Sequence, residues 1–397
     1  MPNIGIVQAG GPTAVINASL SGFLSEAMEC GGYNRIIGFR NGIEGLIKGW
    51  TMDLKQMNAS EVEALNFQPG AALGAGRFPL TPENLQKVKT VLYQEKIDHL
   101  VLVGGNGTMW SAHQIECVAP KVEVVGIPKT VDNDLYGTDH APGYLSAAKF
   151  IAEGVCSLAL DLWSMSNFER VRIVEVMGRN VGWLAASASL IQSYLPGFPI
   201  LIYLPEQAFD LYAFKTKVQE ILTTEPCVIV VISEGIKDKD GNPMALQNIG
   251  GNAGSKILGG VSQLLASELR NMGIPCRSEN LGILQRANVW SVAKRDREEA
   301  NLIGRKAVKL LQSGKHGVMV GLQSSSKLDN ENGGLFSTTP LIDVAGRERS
   351  LNPEFFNESS VTEEFVEWLN DALGEPLVGI DTLNKVWPLA NKSVTGR

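Results

Sequence analysis

The sequence predicts an α/β protein made of two doubly wound, Rossmann-like domains with the active site in the cleft between them. Three observations carry this expectation. Short apolar runs of strand length alternate with amphipathic stretches of helix length through both halves of the chain. Two of those runs end in glycine turns that lead into helices, at Ala9-Gly10-Gly11 and at Gly104-Gly105-Asn106-Gly107. With 397 residues, 44% of them hydrophobic and 19% charged, the chain also has the apolar material to fill two medium-sized cores.

Taken in order, residues 3–8 read as a short apolar strand and 14–30 as the helix that follows the first glycine turn. Residues 35–39 make a second strand, 40–49 a connection punctuated by glycines, 53–67 a polar stretch and 73–79 a glycine loop with one cation, Arg77. Thr81 caps an amphipathic helix over 81–95, which leads to the strand 99–103. After the second glycine turn come a helix, a strand at 122–127, a helix of small and apolar residues over 143–160 and a buried strand at 170–176. The second half continues with helix 181–192, strand 199–204, helix 211–222, strand 228–233, a glycine-rich linker through Gly260, helix 261–271 and strand 280–285. A charged amphipathic helix spans 297–312, and a polar tail from 324 onward contains a helix at 362–373.

Composition narrows the function. A net charge of −7 and a pI near 5.4 leave no basic footprint for nucleic acid, so a small anionic substrate must be captured by local arginines. Five cysteines (Cys30, Cys117, Cys156, Cys227, Cys276) lack CxxC spacing and read as core filler in a reduced compartment. The four histidines show no metal-ligand pairing, which speaks against zinc. The first residues run straight into a strand, and no apolar run reaches the about 18 residues of a membrane span. The expectation is a cytoplasmic protein with no membrane partner.

Chemistry concentrates where two consecutive strands end. The first loop, Gly104-Gly105-Asn106-Gly107-Thr108, lets a phosphate approach the backbone, and the helix behind it offers free N–H groups and the positive end of its dipole. The second, Pro128-Lys129-Thr130-Val131-Asp132-Asn133-Asp134, places a lysine, a hydroxyl and carboxylates together. In a parallel sheet such loops lie side by side at the carboxyl edge. A carboxylate that takes a hydroxyl proton beside groups that hold phosphate is the equipment of phosphoryl transfer. The turn at Gly11 repeats the strand–turn–helix unit, and its N–H is a further donor to a phosphoryl group.

The two loops resemble the signature pair of the phosphofructokinase family. Further matches run along the chain in family order over about residues 1–322: Gly10-Gly11-Pro12-Thr13-Ala14-Val15-Ile16-Asn17, Leu73-Gly74-Ala75-Gly76-Arg77-Phe78-Pro79, Met177-Gly178-Arg179, Leu204-Pro205-Glu206, Ser233-Glu234-Gly235 and Leu284-Gln285-Arg286. The resemblance implies transfer of a phosphoryl group to the 1-hydroxyl of fructose 6-phosphate, giving fructose 1,6-bisphosphate as in glycolysis. It implies that Asp132 is the general base, that Thr130 hydrogen-bonds the sugar, and that Asp134 and Arg179 orient it and neutralise charge. Lys129 would sit beside the leaving or transferred phosphate. Gly11, Arg77, Gly105, Asn106, Gly107 and Thr108 would hold the donor. Magnesium is implied with a polyphosphate donor, and the metal-binding aspartate of the family is here Asn106, a weaker ligand.

For the acceptor, Arg170, Arg277 and Arg286 occupy the positions of the family's 6-phosphate site, and Glu234 with Met177, Gly178 and Arg179 those that hold sugar hydroxyls. Ile283 departs from the pattern, replacing a tyrosine or histidine that donates to the phosphate, a loss of ~1–3 kcal/mol. In the family Arg170 and Arg277 reach a neighbouring subunit's site, so a homodimer or homotetramer is implied. The resemblance divides the chain into a donor domain (1–140), a sugar-phosphate domain (141–322, with 297–322 tying the domains) and an extension (323–397) without an assigned role.

The donor is contested by two residues. Gly107 stands where pyrophosphate users have an aspartate that excludes ATP, whereas Lys129 and Asn106 resemble the pyrophosphate-dependent branch. The balance favours ATP slightly, with pyrophosphate as the alternative. A dinucleotide oxidoreductase is disfavoured because no Gly-x-Gly-x-x-Gly opens the first helix. A catalytically silent phosphosugar-binding subunit is disfavoured by Asp132, Thr130 and Arg179.

Overall fold

The computed structural model describes residues 1–248, 256–323 and 334–377. Parts of the expected glycine-rich linker and polar tail therefore lie outside the described residues. The chain forms two compact units, Met1–Ala147 with Arg286–Arg349, and Ala148–Gln285 with the segment from Ser350 on. This division differs from the expected 1–140, 141–322 and 323–397, because residues after 285 return to the first unit.

The first unit carries a seven-stranded sheet in the order Phe336–Pro340, Val318–Leu322, Glu123–Pro128, His99–Gly104, Ile4–Gln8, Ile36–Phe39, Thr51–Asp53. The inner strands pair in parallel and the two edge strands antiparallel. Alternation along each strand explains why the runs are apolar throughout. Val101, Val103, Val125 and Ile127 face one core, and Leu100, Leu102 and Val124 face the other. The first core is closed by the helices Ile16–Glu29 and Lys294–Gln312. These cross closely because Gly22 and Gly304 lack side chains: a Cβ on either would lie within 2.2 Å of a backbone oxygen of the partner helix. The charged helix read as a tie between domains thus belongs to the first unit's core, and strand Val318–Leu322 extends its sheet.

The second unit is built on a parallel four-stranded sheet in the order Cys276–Asn280, Val171–Val176, Val228–Ser233, Ile200–Tyr203. Its helices Leu211–Thr224 and Val261–Asn271 pack apolar faces onto that sheet.

Three local expectations need correction. The glycine-punctuated connection at 40–49 contains a helix, Gly42–Lys48, whose Ile43, Leu46 and Ile47 are buried; its glycines cap and pack the turn and do not interrupt it. The polar stretch 53–67 contains the helix Ala59–Leu65, started by a capping box between Asn58 and Glu61. The strand expected at 280–285 lies earlier, at Cys276–Asn280, and Leu284–Ala287 is a helical turn. An edge strand reading Cys-Arg-Ser-Glu-Asn has no apolar run to betray it. Among the described residues no helix is long and apolar enough to cross a membrane.

Candidate active site

Strand register brings three loops of the first unit to one edge. Gly104 lies opposite Pro128, and Gln8 opposite Val103, so the turns at Gly10-Gly11, Gly104–Gly107 and Lys129–Asp134 leave the sheet at the same level. The strand Ile4–Gln8 has its chain-consecutive neighbour Ile36–Phe39 on one side and His99–Gly104 on the other, which makes the gap between them the switch point of the sheet.

The helix Asn106–Val118 begins at this gap, and no side chain caps its first turn. A Cβ on Gly107 would meet nothing within 4 Å, so that position faces open space. Lys129 is buried and its Nζ donates to the carbonyl oxygen of Gly11 at 2.6 Å. Burial, then the nearby Arg286 guanidinium, brings its pKa down to about 8. Thr130 Oγ1 accepts from the Asp132 N–H at 3.1 Å. Asn133 takes a left-handed conformation (φ 57°) and accepts from the Ala141 N–H at 3.0 Å, which fixes the turn between the two aspartates.

Burial, then the charge of Asp134, pushes the Asp132 carboxyl up to about 7. Asp134 is also raised, chiefly by burial, while Asn106 Nδ2 donates to its Oδ2 at 2.9 Å. Three oxygens remain buried with no donor from the described residues: Asn106 Oδ1, Asp132 Oδ1 and Asp134 Oδ1. The leftover hard oxygens of Asn106 and Asp134 fit magnesium. Among the described residues no three histidine, cysteine or carboxylate side chains converge on a metal, so these groups can supply only part of a coordination shell.

Arg286, expected at the acceptor's anion site, lies in the first unit against Gly11, where a Cβ would come within 2.1 Å of its Nη2. Burial, then Arg77, lowers its pKa. The loop bearing Arg77 is tied to the first turn by the Gly10 N–H, which donates to Gly76 O at 3.0 Å. Arg77, Lys129 and Arg286 thus form a cationic surround for Asp132. Thr108 is buried against Gly104 at the strand end.

In the second unit, Val176 lies opposite Ser233, so Met177-Gly178-Arg179 and Glu234 leave the sheet together. Ser233 Oγ donates to Gly178 O, and the Met177 N–H donates to Gln285 Oε1 at 3.0 Å. Arg170 and Arg277 are not brought to Arg179 within the chain. They stand at the amino ends of paired strands, and a six-residue strand separates the two ends of the sheet by roughly 20 Å.

Arg170 is moreover occupied: its guanidinium donates to the carbonyl oxygens of Leu222, Glu225 and Pro226 at 2.8, 3.0 and 3.1 Å. It caps the carboxyl end of the helix Leu211–Thr224. Arg170→Ala should therefore lower the thermal midpoint of unfolding, by ~1–3 kcal/mol of stability; an unchanged midpoint in a melting curve would remove this role. Arg277 is 57% exposed with its Nε 3.3 Å from Glu169, and Ile283 is 69% exposed. Supports that the sequence did not reveal include Gln285 and Glu206, both inside matched motifs but with no chemistry of their own to mark them.

Residues 3–311 match the family model for phosphofructokinase. The chain is 37% identical over 385 residues to a sulfofructose kinase of Alkalicoccus urumqiensis, covering 96% of this chain and 97% of that one. It is 32% identical over 384 residues to a pyrophosphate–fructose 6-phosphate 1-phosphotransferase of Rhodospirillum rubrum, covering 93% of each. A crystal structure of pyrophosphate-dependent phosphofructokinase from Nitrosospira multiformis aligns with a TM-score of 0.83 and 28% identity, over 94% of this chain and 91% of that one. With the doubly wound sheets, the loops at the switch point and the family match all in agreement, the chain belongs to the phosphofructokinase family, phosphotransferases that act on an alcohol group.

Proposed function

We propose that this chain transfers a phosphoryl group from ATP to the 1-hydroxyl of fructose 6-phosphate in the cytoplasm, the first unit holding the donor and the second the acceptor. The observation that carries the reading is Asp132, a half-buried carboxyl with its Oδ1 shut off from solvent and a pKa of about 7, among Lys129, Arg77 and Arg286 at the sheet's switch point. As the 1-oxygen attacks the terminal phosphorus in line, its proton passes to Asp132 and the bond to the leaving ADP oxygen breaks. Lys129, Arg77, the Gly11 N–H and the start of the helix Asn106–Val118 offset the charge on the transferred group. Asn106 and Asp134 have the oxygens to hold magnesium, which when bound would neutralise charge on the polyphosphate. Thr130 and Asp134 in the first unit, and Met177, Gly178, Arg179 and Glu234 in the second, orient the sugar.

ATP is favoured by the open space at Gly107; pyrophosphate is the alternative, favoured by Lys129. Because Arg170 and Arg277 lie far from Arg179 in the chain, a homodimer or homotetramer is proposed in which Arg277 serves a neighbouring copy.

A second acceptor reading rests on Ile283. Its exposed apolar side chain gives no hydrogen bond to a dianionic phosphate ester, and a sulfonate, with one negative charge, needs fewer donors. The relative named sulfofructose kinase supports it. Initial rates with fructose 6-phosphate and with 6-deoxy-6-sulfofructose, under saturating magnesium ATP, decide between them. The first reading expects kcat/KM at least ~10-fold higher for the phosphate, about 1.4 kcal/mol. The reverse order moves the assignment to the sulfonate.

A further inference from the structure

We infer that Glu206 is a positioning residue that clamps the C-terminal segment onto the Met177–Arg179 loop, giving the chain beyond Ser350 a part in acceptor binding. One carboxylate oxygen of Glu206, Oε1, accepts two main-chain N–H groups: that of Gly182 at 2.8 Å and that of Leu351 at 3.0 Å. Gly182 is only a few residues beyond Arg179 and is the cap of the helix Trp183–Ala186. Leu351 opens the C-terminal segment of the same unit. The other oxygen, Oε2, is buried over Gly182, where a Cβ would come within 2.7 Å of it.

A second set of contacts runs through the next residue. Trp183 is 1% exposed and packs against Phe355, Phe365 and Trp368 of the C-terminal segment, with ring centroids 6.2, 6.2 and 5.2 Å away. Farther along, Lys149 Nζ donates to Glu375 Oε1 at 2.7 Å, and the Leu377 N–H donates to Tyr194 Oη at 3.0 Å. The C-terminal segment is thus stapled to the chain on both sides of the loop that bears Arg179. The loop's opposite flank is held by Ser233 and Gln285.

The chemical consequence is one of placement. A guanidinium that must meet a small polar sugar works only if its backbone is fixed, and a displacement of about 1 Å is enough to cost ~10²-fold in rate. Among the described residues the loop has no strand pairing beyond Val171–Val176, and these flanking bonds hold it. The inference rests on the reading that Met177–Arg179 bind the acceptor.

The test compares Glu206→Ala, Glu206→Gln and Trp368→Leu in the full chain by steady-state kinetics with fructose 6-phosphate and ATP, and by hydrogen–deuterium exchange. Glu206→Ala should raise KM for the sugar phosphate by ~10-fold or more while KM for ATP stays within about 2-fold. Exchange in peptides spanning 177–184 should rise. Glu206→Gln keeps an amide oxygen for both N–H groups and should restore sugar KM to within about 3-fold. Trp368→Leu should give the same one-sided change in smaller degree, and with Glu206→Gln it carries the test if the alanine variant does not fold. Equal rises in both KM values, or unchanged exchange at 177–184, would overturn the clamp. If the wild-type chain transfers no phosphoryl group but exchange responds as described, the clamp stands and the functional reading fails.

Discussion

Asp132→Asn lowers kcat by roughly 10²–10⁴-fold, or about 3–5 kcal/mol of barrier, while binding of the sugar phosphate stays close to wild type. The amide preserves shape and volume but cannot take the proton from the attacking hydroxyl. The magnitude follows from the environment. Asp132 is half-buried with its Oδ1 shut off from solvent beside Asp134, and desolvation and the neighbouring charge push its carboxyl up to about 7. That is a far better base than a solvated aspartate and is still ionised at neutral pH to a useful extent. The sign of the pH dependence follows. Activity rises with pH as Asp132 loses its proton near 7, and falls as Lys129, whose pKa is about 8, loses its charge. A narrow bell in kcat/KM is therefore expected for the wild type. Rates measured over pH 5.5–9.5 check this, and the Asn variant should lose the acidic limb with its activity. Turnover within a few-fold of wild type in that variant would take Asp132 out of the mechanism.

Gly107→Asp reverses or abolishes the proposed preference for ATP, changing the ratio of kcat/KM for ATP over pyrophosphate by about 10²-fold or more, near 3 kcal/mol. At present nothing stands within 4 Å of the place where a Cβ would go, at the second residue of an uncapped helix start. A carboxylate there would take up room and present negative charge where the α-phosphate of a nucleotide has to lie. Pyrophosphate has no third phosphate to meet it. The substitution adds a side chain into open space, so the fold should tolerate it and the effect should be confined to the donor. Paired initial-rate series with the two donors measure the ratio, and an unchanged ratio would separate Gly107 from donor choice.

The parts of this molecule that were legible in the sequence share a physical character. Val101–Gly104 and Val124–Pro128 announce themselves because strands buried on both faces must be apolar throughout, and because only a glycine-rich turn lets the backbone close on a phosphate. The loops that follow them, with Lys129, Thr130, Asp132 and Asp134, are therefore marked in the sequence by the strands that lead into them. Strand Cys276–Asn280 lies earlier than its sequence suggests because an edge strand is stabilised by pairing with Val171–Glu175, which leaves no mark in its composition. Arg170 looked like a phosphate ligand, yet the same guanidinium geometry that suits phosphate also suits the last carbonyls of a helix. The approach of Arg286 to Gly11 joins the two ends of the first unit. It depends on how the helix Lys294–Gln312 brings the chain back, and no local pattern encodes that. Glu206 sat inside a recognised motif, but its work is to accept two main-chain N–H groups, which no side-chain pattern foretells.

Transfer of a phosphoryl group to the sugar's 1-hydroxyl is followed in a single reaction mixture by ³¹P NMR. The wild-type chain is incubated with fructose 6-phosphate, magnesium and ATP, with pyrophosphate in a parallel tube. The expected result is loss of the terminal donor phosphate in step with a new phosphomonoester on C1 of the sugar, one for each donor consumed, and faster with ATP. Release of inorganic phosphate with the sugar left singly phosphorylated, or no change with either donor, would contradict it.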